Sequence, residues 1–79
     1  MRISKKLRAD IVKIYARISL DYERADYFKE HCNNMEAYKL WLARASAKWD
    51  VLEILLQKDW DETHRLVHKI VREHKRLVE

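Results

Sequence analysis

The sequence predicts an all-α domain, an up-down-up bundle of three helices with a long first helix. Three observations carry that expectation. Glycine and proline are both absent from the 79 residues, so hairpin turns and phosphate-cradling loops lose their usual residues. Apolar residues recur at helical spacing through three successive segments. The two breaks between those segments each carry a short polar acceptor followed three residues later by glutamate, a helix-start signature. The whole chain, residues 1–79, reads as one domain, close to the size at which a single core is marginal.

The first helix is expected over about residues 4–32. Projection at ~100° per residue aligns Leu7, Ile11, Ile14, Ile18, Tyr22, Ala25, Phe28 and Cys32 in one apolar stripe. Beside it Lys6, Asp10, Lys13, Arg17, Asp21 and Arg24 alternate in sign at i, i+3 and i+4 spacing. That pattern predicts a solvated face laced with ion pairs. A weaker second stripe holds Ala9, Val12, Ala16, Leu20 and Tyr27. The basic beginning of the chain has the charge of a targeting peptide, but it runs on into Asp21 and Glu23 and reads as mature structure.

The second helix is expected over about residues 34–57, opened by Asn33 as cap and Glu36 as its reciprocal partner. Tyr38, Trp41, Leu42, Ala45, Trp49, Leu52, Leu55 and Leu56 form its core face. Leu40, Ala43, Ala47, Val51 and Ile54 line nearly the opposite side, which leaves only a narrow polar arc. A helix apolar almost all round is buried almost all round. Either this helix lies deep between its neighbours, or the second stripe is an interface. The interface reading is preferred, with Leu20, Tyr27, Leu40, Ala47, Val51 and Ile54 as its residues.

The third helix is expected over about residues 60–78, with Asp59 as cap and Glu62 at the matching position. Its core stripe comprises Trp60, Thr63, Val67, Ile70, Val71, His74, Leu77 and Val78. In an up-down-up bundle His74 falls level with Tyr22 and Leu42, which predicts a buried neutral histidine whose protonation loosens the fold. His64 and His68 stand at i, i+4 on a shoulder of the helix. Arg65 takes the place where a metalloprotease helix carries glutamate, and the surroundings are basic, so no metal and no cofactor is expected. Arg65, Lys69, Arg72 and Arg76 form a one-sided basic row opposite the core. Glu62 and Glu73 lie at pairing distance from that row. A second basic cluster, Arg2, Lys5, Lys6 and Arg8, belongs to the other end of the bundle.

No pattern of nucleophile, base and orienting group emerges, and Cys32 sits where a helix dipole disfavours thiolate, so an enzyme is not expected. The lone cysteine favours a cytoplasmic location, and no apolar run approaches a membrane span. The net charge of +4 permits an anionic partner without requiring one. The expectation is therefore a small regulatory, adaptor or inhibitory protein working through helical protein–protein contacts, as a homodimer or a partner-bound subunit. Accessory proteins of mobile elements and viruses share this size and lack of chemistry. The alternative is nucleic-acid binding through Arg65, Lys69, Arg72 and Arg76.

Overall fold

The computed structural model describes residues 3–78, with side chains up to Arg76. The described residues form three helices, α1 (Lys5–Glu30), α2 (Met35–Leu56) and α3 (Trp60–Val78). Each start is capped by a short side chain that satisfies an amide left without an intrahelical partner. Ser4 Oγ accepts from the Leu7 N–H at 3.1 Å, Asn34 Oδ1 from Ala37 at 3.1 Å, and Asp59 Oδ1 from Glu62 at 2.9 Å.

Asp59 is the cap read from the sequence; Asn33 is not. Asn33 instead takes a left-handed conformation, φ 49°, and the following Asn34 caps α2. The N–H of Asn34 returns to the Phe28 carbonyl at 2.9 Å, which closes the end of α1 and fixes which asparagine turns the chain. The second turn uses Gln57, φ 54°, as the left-handed C-cap of α2. With no glycine in the chain, a residue bearing a Cβ has to occupy that conformation.

α1 and α2 meet in reverse order along the chain. Lys29 lies over Tyr38, Arg24 over Trp41, and Tyr15 against Trp49, so the two helices form an antiparallel hairpin. α3 lies against the half of this hairpin nearest the α2–α3 turn. His64 stacks on Trp49, His68 meets Tyr15 edge-on, and Glu73 pairs with Arg8 at 2.9 Å.

The core is Ile11 and Ile18 of α1, Ala45, Trp49, Leu52 and Leu56 of α2, and Val67 and Ile70 of α3. Thr63 is also buried, its hydroxyl donating to the Lys58 carbonyl at 3.3 Å.

Several side chains depart from their expected positions. Asp21, read as part of a solvated row, is only 5% exposed and ion-pairs with Lys48 of α2. Tyr22 and Leu55 are partly open to solvent and Cys32 is exposed. Tyr22 sits at the rim, its hydroxyl accepting from Trp49 Nε1 at 3.2 Å. Trp60 is 59% exposed because it opens the first turn of α3 and lies over His64 instead of reaching the core. His74 is exposed beside Lys5, Arg8 and Ala9, far along α1 from the level of Tyr22. The expected loss of a buried neutral His74 on protonation therefore has no basis. Arg2 and the side chains of Leu77 and Val78 lie outside the described residues.

Candidate interaction surfaces

The outer face of α2 is open. Ala45, Trp49, Leu52 and Leu56 point into the core, and the stripe half a turn away carries Leu40 (57% exposed), Val51 (47%) and Ile54 (75%) with Ala43 and Ala47 between them. The reading that neighbouring helices cover this stripe is thus excluded within one chain. Leu20 and Tyr27 are exposed as well, but they do not extend the stripe. Leu20 lines a cleft with Arg17, Trp41 and Arg44, and Tyr27 packs against Phe28 and His31 with ring centroids 5.5 and 5.4 Å away.

On α3, Arg65, Lys69, Arg72 and Arg76 are all exposed along one side. The two glutamates expected to flank them turn elsewhere. Glu62 faces Lys58 at 3.7 Å, and Glu73 accepts from Arg8. The hydrogen bond from Arg8 holds the Glu73 carboxyl below its ordinary range; desolvation opposes it, and the charges of Arg8, Lys69 and Arg76 reinforce it. Among the described residues no side chain of the basic row makes an ion pair within 4.0 Å, although Lys69 and Arg76 lie near enough to Glu73 to act on its charge.

His64 is not a plain shoulder residue. Its ring stacks on Trp49 (centroids 3.6 Å apart, 16° between planes) and lies 3.9 Å from Trp60, and its Nε2 is closed to water without a hydrogen-bond partner. Burial pushes its pKa down, the neighbouring His68 pushes the same way, and Asp61 opposes both. The spacing Trp60–His64, one helical turn, is the sequence signal for half of this stack. The other half needs α2 and α3 to meet and has no local signature. Among the described residues no group of three or more His, Cys, Asp or Glu side chains gathers as metal ligands.

A further surface has no counterpart in the sequence reading. Along the α1–α2 junction the guanidiniums of Arg24 and Arg44 each lie 4.9 Å from the centroid of the Trp41 ring, beside Arg17 and the Asp21–Lys48 pair. Trp41, expected on the core face, is half-buried, with its ring shared by cations from two helices.

No family model, curated protein or solved structure matches this chain. Among the described residues no helix is long and apolar enough to cross a membrane.

Proposed function

We propose that this chain is a small helical binding protein, regulatory, adaptor or inhibitory in role and not an enzyme, whose docking surface is the outer face of α2. The observation that carries this reading is the exposed stripe of Leu40, Ala43, Ala47, Val51 and Ile54 opposite the core. The occupant that fits it best is a second copy of the same stripe, paired antiparallel about a two-fold axis at Ala47.

In that register Leu40 faces Ile54 of the other copy, Ala43 faces Val51, and Ala47 faces itself. Large side chains meet at the ends and small ones at the centre, which lets the two helices approach closely and interdigitate. A two-fold requires such self-complementarity, and the order Leu-Ala-Ala-Val-Ile supplies it.

Leu40, Val51, Ile54 and Leu55 together present on the order of 400 Å² of apolar surface, about half of what one partner buries in a standard interface. The aliphatic stem of Lys39 adds to it. The association is accordingly a weak one, with a dissociation constant on the order of 10–100 μM. Sedimentation equilibrium from about 5 to 500 μM tests the reading. A dimer that Ile54→Glu converts to monomer is expected, since each dimer would otherwise bury two charges unpaired. A strict monomer across that range, or a dimer indifferent to Ile54→Glu, overturns it.

The exposed row Arg65, Lys69, Arg72 and Arg76, free of close ion pairs among the described residues, favours a second reading, contact with nucleic-acid phosphates. Binding to duplex DNA that falls steeply with salt and is lost in Arg72→Glu supports it; binding unchanged by that substitution removes it. An exposed thiol at Cys32 suits a reducing cytoplasm.

A further inference from the structure

We propose that the cleft holding Arg17, Arg24, Trp41 and Arg44 is a binding site for a phosphate group. Helical projection puts Arg17 and Arg24 on the flank of α1 opposite Arg8, Val12 and Tyr15, so α3 leaves the cleft uncovered. Its volume is about 280 Å³, ample for a phosphate with part of the molecule that carries it.

The charge of the cleft is unbalanced in a specific way. Lys48 is taken by the buried carboxylate of Asp21, so that pair is internally neutral and forms the floor. None of the three guanidiniums meets a carboxylate among the described residues. The lining thus carries four cationic side chains from two helices against the single carboxylate of Asp21, which Lys48 already neutralises.

Arg24 and Arg44 are held near one another by the same indole ring, each 4.9 Å from its centroid. Their separation is therefore at most about 9.8 Å, comparable to the Debye length of ~10 Å at 0.1 M salt, so their repulsion is weakened but not abolished by screening. Neither guanidinium donates a hydrogen bond to another side chain or backbone group among the described residues, so their N–H groups are free to donate. Two such groups, pre-positioned on Trp41 and joined by Arg17, match the several acceptor oxygens and the negative charge of a phosphate group better than a single carboxylate does. An anion bound there also relieves the repulsion that the free protein carries. The site uses none of the apolar side chains proposed for dimerisation and stands apart from that reading.

The test is NMR on the full-length chain labelled with ¹⁵N, following the Arg Nε–H and Trp indole signals at constant ionic strength. Sodium pyrophosphate is titrated in one arm and a ten-residue oligothymidylate in the other. The expected result is saturable shifts of the Arg24, Arg44 and Trp41 signals in at least one arm. Arg44→Gln should weaken binding at least tenfold, Arg44→Lys nearly as much because the charge remains but the fork is lost, and Ile54→Glu should have no effect. Tighter binding of the oligonucleotide assigns the phosphate to a nucleic-acid strand, and binding of pyrophosphate alone assigns it to a small phosphate compound. Shifts that never saturate in either arm, or that persist in Arg44→Gln and in a separate Arg24→Gln variant, overturn the assignment.

Discussion

Replacing Asp21 by asparagine leaves Lys48 of α2 facing a neutral amide in place of its counter-charge. The change preserves volume, so it opens no cavity, and the cost is electrostatic. Removing one partner of a fully buried pair costs roughly 3–5 kcal/mol. Here the carboxylate side chain is 6% exposed but the lysine side chain keeps 28% exposure, so water restores part of the lost solvation. A loss of about 1.5–3 kcal/mol follows, a large fraction of the stability of so small a domain. Urea unfolding monitored by circular dichroism at low protein concentration measures it as a lower midpoint at unchanged m. Adding Lys48→Met should recover at least about 1 kcal/mol, because the stranded charge is removed and its stem still packs. A loss below about 0.5 kcal/mol, the behaviour of a surface pair, would refute the reasoning, as would a double variant no more stable than Asp21→Asn.

Two further outcomes concern the histidine stack and the second turn. Because the His64 pKa is lowered in the folded chain, the unfolded chain takes up the proton first. Stability should therefore be full above the unfolded value near 6.5 and fall as pH drops through the folded one. Urea midpoints from pH 8 to pH 5 check this: His64→Phe should flatten the decline, since the Glu73–Arg8 pair adds its own loss only at lower pH, as pH falls from the ordinary carboxylate value through the lowered folded one. Gln57→Gly should stabilise the chain by about 1 kcal/mol, since Gln57 adopts a left-handed conformation that costs a residue with a Cβ about that much. No gain in thermal midpoint would mean that the Gln57 side chain makes a compensating contact.

The parts of this molecule legible from sequence are those fixed within one helix. The three helices, the Asp59 cap and the surplus stripe of α2 all follow from spacing along a single segment, and the structure places them as expected. What escaped depends on how segments meet. Asp21 looked solvated because its neighbours alternate in sign, and its partner Lys48 lies 27 residues away on another helix. His74 looked buried because periodicity gives the face of a residue but not its level against a neighbour; that end of α3 lies beside Lys5 and Arg8. The spacing to Glu36 favours Asn33 as the α2 cap, but the Asn34–Phe28 hydrogen bond that closes α1 moves the cap to Asn34. The Trp49–His64 stack and the Arg24–Trp41–Arg44 cluster each need two helices in register, so neither has a local signature.

Self-pairing of α2 about Ala47 is tested most directly by placing a cysteine on the proposed axis. In a Cys32→Ser background, which removes the exposed native thiol, Ala47→Cys puts two thiols face to face across the two-fold. Mild oxidation should then give a disulfide-linked dimer rapidly and at protein concentrations below the native dissociation constant. Gln57→Cys, beyond the end of the stripe, should cross-link slowly. Equal rates at the two positions, or no cross-linking at position 47, would contradict the account.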